Sequence, residues 1–330
     1  MTFGVPYMGS KNKIAPMIVD ALPASECFVD LFAGGCAITH AAMLTGKWST
    51  FIANDISDIP KLFKDAIDGR YHDERRWITR EDFFAIKDTD PYVRTCWSFG
   101  NDCKTYMYAP EVERIMHAMF DVCFASTPHD TRMALHRFFR ILFKSNWFAE
   151  NIKTHSGQHH MCEIRSLERL ENIQSLESLE RIQSLESLKR LERIQSLERL
   201  QRIQSLESLT ISQADYRDVI IPPNSTVYCD IPYKDTKNYA CGAFNHEEFY
   251  EWVRTRDFPV YISEYTAPDD FVSVWSKEHY SSLGSSQAKS GTAKRTTEQI
   301  FVYERWATAH TNSTQPTNEH IQYSLFDDIA

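Results

Sequence analysis

The chain has 330 residues, of which 42% are hydrophobic and 25% charged, a composition that suits a globular protein of one large or two modest domains. A net charge of −9 excludes a protein that coats nucleic acid without specificity, although a local basic surface is all that phosphate contact requires. The eight cysteines include no C-x-x-C pair and read as reduced thiols, and no apolar run approaches membrane-spanning length. Met1 to Lys11 resembles neither a signal peptide nor a lipidation site. The expectation is a cytoplasmic protein with no membrane partner.

In chain order, Ala15 to Leu22 carries a short helical pattern and Cys27 to Phe32 a buried-strand run. Gly34-Gly35 turns into a helical stretch from Ala37 to Leu44, and Thr50 to Ala53 is a second strand closed by Asn54-Asp55. Strand, Gly turn, helix, strand and acid in this order open a doubly wound α/β domain. From Lys61 to Cys162 the pattern is mainly helical. Within it, Arg132 to Phe148 places Arg132, His136, Arg137, Arg140 and Lys144 on one helical face, with Leu135, Phe138, Phe139, Leu142 and Phe143 opposite. That basic face is the leading candidate for phosphate contact; a plain solvated face is the alternative.

Ile164 to Leu209 repeats Ile or Leu at every third position, with Ile-Gln-Ser-Leu-Glu recurring at Ile173, Ile182, Ile194 and Ile203. A period of 3.0 matches neither the α-helix nor the coiled coil, so a simple coiled coil is not expected. The segment reads as an inserted arm without catalytic residues. A second α/β pattern follows: a strand at Thr226 to Cys229, a helix from His246 to Val253 capped by Asn245, a strand at Val260 to Ser263 and a late one at Gln299 to Tyr303. The halves before residue 60 and after 215 are expected to build one sheet. Thr308 to Asn318 reads as a flexible linker.

Two places carry chemistry. Glycines just past a strand, as in Asp30-Leu31-Phe32-Ala33-Gly34, let backbone approach a ligand, and Asp55, 21 residues beyond Gly34, fits an acid on ribose hydroxyls. Alone, this pattern serves an NAD site as well, or none. The second place is Asp230-Ile231-Pro232-Tyr233 at a strand end. An aryl amine is a poor nucleophile because its lone pair is delocalised into the ring. A carboxylate and the next backbone carbonyl can bind the amino hydrogens and localise that pair toward an incoming methyl group. The proline holds Ile231 extended, and the aromatic ring stacks on a flipped base.

With these residues in view, the chain resembles the Dam-like (D12-class) DNA adenine N6-methyltransferases. Pro6-Tyr7-Met8-Gly9-Ser10-Lys11 is similar to the family's aromatic-x-Gly-x-Lys element, Asp30-x-Phe32-x-Gly34 to its cofactor loop, Asn54-Asp55 to its ribose-binding acid and Asp230 to Tyr233 to its D-P-P-Y. The resemblance implies a Rossmann-like α/β sheet that uses S-adenosylmethionine, with an inserted, mainly helical target-recognition region and double-stranded DNA as partner. It implies that Tyr7 and Lys11 contact the cofactor, that Asp30, Phe32 and Gly34 line its pocket and that Asp55 binds ribose. Asp230 would then lie between cofactor and adenine, and Tyr233 would stack on the base. Transfer would be direct and metal-free. Cys36 stands where the family's F-x-G-x-G has its last glycine, and Ile231 replaces the first proline, whose carbonyl rather than ring the chemistry needs. The implied organisation is a catalytic domain at 1–60 and 211–307, a recognition insertion at 61–163, the triplet arm at 164–210 and a tail at 308–330.

Weaker signals remain. His155, His159, His160 and Cys162 are zinc-ligand types without a matching second pair, so the expectation is a solvated loop and no metal. Lys289, Lys294 and Arg295 occupy a Ser/Gly-rich loop that either approaches DNA or is simply mobile. Gln322-Tyr323-Ser324-Leu325-Phe326 resembles the Q-L-S-L-F peptide that binds bacterial sliding clamps; the alternative packs Leu325 and Phe326 on the body. The competing functions are methylation of another planar nitrogen (cytosine N4, RNA adenine, a glutamine amide) and a decayed methylase kept as a DNA- or clamp-binding module.

Overall fold

A computed structural model describes residues 3–71, 73–144, 208–233, 244–280 and 295–307. Its strands, in chain order, are β1 (Cys27–Asp30), β2 (Thr50–Asn54), β3 (Leu209–Ser212), β4 (Ser225–Asp230), β5 (Val260–Glu264), β6 (Phe271–Tyr280) and β7 (Arg295–Tyr303). They form a seven-stranded sheet in the order β3-β2-β1-β4-β5-β7-β6. The first five are parallel, and β7 runs antiparallel to both β5 and β6. This is the mixed α/β, Rossmann-like sheet that the sequence led us to expect.

The strand sequences explain the layering. β1 and β5 are buried along their whole length, as strands covered on both faces must be. Successive side chains point to opposite faces. Phe28 and Tyr228 therefore join one core, with Ile18 and Val19 of α1 (Ala15–Ala21) and Ala41 of α2 (Ala37–Met43). Val29, Leu31, Val227 and Cys229 join the other, with Phe249 and Val253 of α8 (His246–Arg254). Asn245 caps α8 by accepting from the Glu248 N–H at 3.2 Å.

Between β2 and β3 run α3 (Ile59–Ile67), α4 (Arg80–Ile86), α5 (Pro91–Cys96), α6 (Pro110–Cys123) and α7 (Pro128–Phe143). Apolar residues of α6 and α7, among them Phe120, Leu135 and Phe138, belong to the same buried cluster as Phe28. On α7, Arg132, His136, Arg137 and Arg140 are exposed while Leu135, Phe138, Phe139 and Leu142 are buried, and exposed Lys144 follows as its C-cap. Of the stretch Arg132 to Phe148, residues 145–148 lie outside the described residues.

Three details differ from the expectation. The sheet resumes at Leu209, not after 215: Leu209, the last residue of the triplet pattern, is buried in β3 and pairs with Phe51. β6 was not anticipated, because an edge strand with a register shift at Ser273/Trp275 breaks the two-residue alternation that marks strands. β7 starts at Arg295, so this residue, expected in a loop, pairs with Tyr280 instead. The remaining triplet arm, His155 to Cys162, Lys289, Lys294 and the tail with Gln322, Leu325 and Phe326 lie outside the described residues.

Candidate active site

In doubly wound sheets ligands settle where the chain reverses its direction of progress across the sheet. Here that place is the gap between β1 and β4: from β1 the chain moves outward to β2 and β3, then returns to pair β4 on the other side of β1. A cavity of about 300 Å³, within the range of small-molecule sites, opens at this point. Tyr7, Lys11, Asp30, Phe32, Gly34, Asp55 and the run Asp230 to Tyr233 all line it.

On the β1 side the N-terminal segment folds over the Gly turn. The Val5 N–H donates to Gly35 O at 2.8 Å and the Gly4 N–H to His40 Nδ1 at 2.9 Å. A Cβ at Gly34 would stand 2.8 Å from the Tyr7 ring, and one at Gly35 would stand 2.6 Å from Val5 O, so both positions need glycine for close approach. Cys36, next in line, holds φ 58 and ψ 30, the left-handed conformation, and is fully buried. The family's glycine at that position therefore has a conformational reason here, which the cysteine meets under strain.

Asp55 closes the turn. Its Oδ2 accepts from the Gly34 N–H at 2.9 Å, and its Oδ1 from the Ser57 N–H at 2.8 Å and the Ser57 hydroxyl at 2.7 Å. A carboxylate oxygen can accept twice, which leaves Oδ2 room for a ligand hydroxyl. Asn54 donates to Leu31 O and Ala214 O, tying the ends of β1 and β2 to the segment after β3. Asp30 is 1% exposed; Thr39 donates to its Oδ2 at 2.8 Å, while Oδ1 has no hydrogen-bond partner among the described residues. Burial, reinforced by Asp230 and Asp55, pushes its carboxyl up to about 7 against the pull of Thr39 and, more weakly, of the Phe32 backbone N–H. A buried carboxylate oxygen without a donor, on the wall of a cavity, fits a cationic group such as a ligand ammonium.

On the β4 side, Lys11 Nζ lies 3.0 Å from Asp230 Oδ1, 4.0 Å from Glu298 Oε1 and 4.3 Å from the centre of the Tyr233 ring. Its ammonium thus sits at the Asp230 end of the cavity. The Tyr233 ring also packs against Tyr265, with centroids 4.5 Å apart, and its hydroxyl donates to Glu298 Oε1 at 2.5 Å. Burial raises the Asp230 carboxyl to about 6; Lys11 draws it down and Glu298 pushes it up. Burial also raises the Tyr233 phenol, so this ring is neutral. Ile231 is buried with the α8 core, and His246 Nε2 lies 2.7 Å from Pro232 O, fixing the backbone just beyond Asp230.

Sequence reasoning missed Glu298, His246, Ile56 and Phe244. Ile56 follows Asp55 directly and is 55% exposed at the cavity, the one of the four with a local signal. Phe244 packs edge-on to Phe32 at 5.6 Å. Arg132, Arg137, Arg140 and Lys144 are absent from the cavity wall, and Arg137 pairs with Asp121 of α6 at 3.0 Å. Among the described residues no helix is long and apolar enough to cross a membrane.

No curated protein matches the chain. A family model does, over residues 7–85, a span that includes Tyr7, the Gly turn and Asp55 and stops short of Asp230. That model describes the D12 class N6 adenine-specific DNA methyltransferases, and the similarity supports DNA methyltransferase activity for this chain.

Proposed function

We propose that the chain transfers a methyl group from S-adenosylmethionine to the exocyclic N6 of an adenine flipped out of double-stranded DNA. The observation that carries the reading is that one cavity is lined both by the Gly34–Asp55 half and by the Asp230–Tyr233 half. In it, Asp55 receives ribose hydroxyls, the unpaired Asp30 Oδ1 receives the methionine ammonium, and Tyr7, Phe32 and Ile56 supply apolar walls. Bound there, the cofactor supplies an electrophilic methyl group on a sulfonium. The Asp230 carboxylate and the Ile231 carbonyl accept the two amino hydrogens and draw the nitrogen lone pair out of conjugation. Asp230, whose carboxyl is raised to about 6, accepts the proton that the amino group sheds. Tyr233 offers the aromatic surface beside the base. Because Ile231 acts through its carbonyl, the missing proline ring leaves this step intact.

The catalytic part comprises residues 1–60 and, starting two residues before the sequence boundary, 209–307. Residues 61–163 serve target recognition, and 308–330 carry the clamp-binding peptide. The test is incubation of unmethylated DNA with S-adenosylmethionine, followed by mass spectrometry of the nucleosides. N6-methyladenine made by the native chain and lost in Asp230→Ala is the expected result. N4-methylcytosine, or no methylated base, would overturn the reading.

A further inference from the structure

One buried charge near the cavity belongs to no motif. In β7, Glu298, Ile300 and Val302 share a face by their two-residue spacing and are all buried, with Glu298 1% exposed. A strand that needed only to pack would carry an aliphatic residue at each of these positions, since burying a carboxylate is costly unless it is satisfied. Glu298 is satisfied by groups from three other parts of the chain. Its Oε1 accepts from the Tyr233 hydroxyl at 2.5 Å and from the Ser263 hydroxyl of β5 at 2.7 Å, and Lys11 Nζ stands 4.0 Å away.

We propose that Glu298 is a positioning residue that holds the Tyr233 ring and the Lys11 ammonium in register with the Asp230 carboxylate. The inference rests on the methyltransferase reading of this cavity. Tyr233 follows Asp230 by three residues on the segment leaving β4, and a ring there is fixed only if both its face and its hydroxyl are held. Tyr265 and Lys11 hold the face, and Glu298, together with Asp230, holds the hydroxyl. Glu298 also shares the Lys11 ammonium with Asp230, so that Asp230 is not fully committed to an ion pair and keeps acceptor capacity for an amino group. The charged and titratable groups facing Asp230 are Lys11 from the N-terminal segment, Asp30 from β1, Tyr228 and Cys229 of its own strand, Tyr233 beyond it and Glu298 from β7. Of these, Glu298 pushes the Asp230 carboxyl upward.

The test is Glu298→Gln, which keeps the shape and removes the charge. A neutral amide oxygen accepts more weakly than a carboxylate and no longer attracts the Lys11 ammonium, so both Tyr233 and Lys11 loosen. The kcat should fall about 10- to 100-fold, as small displacements of reacting groups do, with a smaller change in KM for S-adenosylmethionine because the Asp30 and Asp55 contacts are untouched. With the Glu298 charge gone, the Asp230 carboxyl falls, and the acidic limb of the kcat–pH profile moves to lower pH. Tyr233→Phe, which removes the hydroxyl that Glu298 accepts, should reproduce part of the loss, and the double variant should lose less than the product of the two. Unchanged kcat and an unmoved acidic limb, or strictly multiplicative losses, would overturn the proposal. A readout independent of turnover is the 13C signal of the Tyr233 ring, assigned by its absence in Tyr233→Phe. Glu298→Gln should shift it, and an unshifted signal refutes the positioning role even if the native chain methylates nothing. Failure of the native chain to form N6-methyladenine would instead remove the methyltransferase reading. If Glu298→Gln does not fold, Glu298→Asp, which keeps the charge but withdraws the carboxylate by one methylene, takes its place: the loss in kcat and the shifted ring signal are expected as before, and the acidic limb should stay where it is in the native chain.

Discussion

At Cys36 a single backbone angle decides what a side chain is worth. In an ordinary buried position glycine is worse than alanine by roughly 0.5–1 kcal/mol, because it loses more backbone entropy on folding. Cys36 has φ 58, where a Cβ costs roughly 1–2 kcal/mol. Cys36→Gly removes that strain as well as the thiol, whereas Cys36→Ala loses the thiol and keeps the strain. The expected outcome is that Cys36→Gly is at least as stable as Cys36→Ala by denaturant midpoint, the reverse of the usual order. A clear advantage for alanine would show that the strain is not there. This residue was visible in the sequence as a departure from a pattern, although its conformation was not. Glu298 was invisible for a different reason. Its partners Tyr233 and Ser263 are 65 and 35 residues away, and nothing local distinguishes Thr297-Glu298-Gln299 from any polar strand start.

At the scale of elements, legibility followed how completely an element is buried. β1, β4 and β5 were readable because both their faces meet core, giving unbroken apolar runs. β3 was hidden because Leu209 continues the triplet rhythm of the arm, and β6 because its edge position leaves much of it exposed. α7 was readable because its two faces differ so sharply. That helix also carries the testable claim about DNA. Arg132 and Arg140 are exposed on its basic face, so replacing both with alanine should leave the fold intact. If they neutralise phosphates, affinity falls similarly for all sequences, and the slope of log K against log salt shrinks by about 2, roughly one for each arginine removed. Arg137 is left in place so that its exposed pair with Asp121, which contributes no more than about 1 kcal/mol, is undisturbed. A salt slope unchanged in the double variant would return this helix to the status of a solvated face.

The molecule as a whole is closed by a pairing between its two ends. Cys27 of β1 pairs with Ser225 of β4, about 200 residues later, so the site forms only after a very long loop has closed. The same pairing sets Asp30 and Asp230 at neighbouring strand ends, where Asp230 adds to the difficulty that burial gives Asp30 in ionising. Asp30 has a folded-state carboxyl raised from 3.8 to about 7, so the folded chain holds that proton more tightly than the unfolded chain. Stability from this group is therefore fully present below about pH 4 and is lost as pH rises toward 7, by roughly 4 kcal/mol for a shift of this size. His40 acts in the opposite sense: burial lowers it from 6.5 to about 4, so its neutral form favours folding above pH 6.5 and that contribution is lost as pH falls toward 4. Below pH 6.5 the two slopes oppose each other, and Asp230, raised to about 6, adds to the Asp30 slope. The ligand-free protein should therefore be less stable at pH 8 than at pH 5.5. Asp30→Asn, which mimics the protonated carboxyl and can still accept from Thr39, should raise the unfolding midpoint at pH 8 and flatten its pH dependence. Under the proposed function S-adenosylmethionine should stabilise the native chain further, and Asp30→Asn should abolish that gain, because the cofactor ammonium would no longer meet a carboxylate. Thermal unfolding of both proteins at the two pH values, with and without cofactor, separates the outcomes. A native chain that gains stability toward pH 8, or an Asp30→Asn variant destabilised at both, would mean that Asp30 is ionised and satisfied within the fold and is not waiting for a cation.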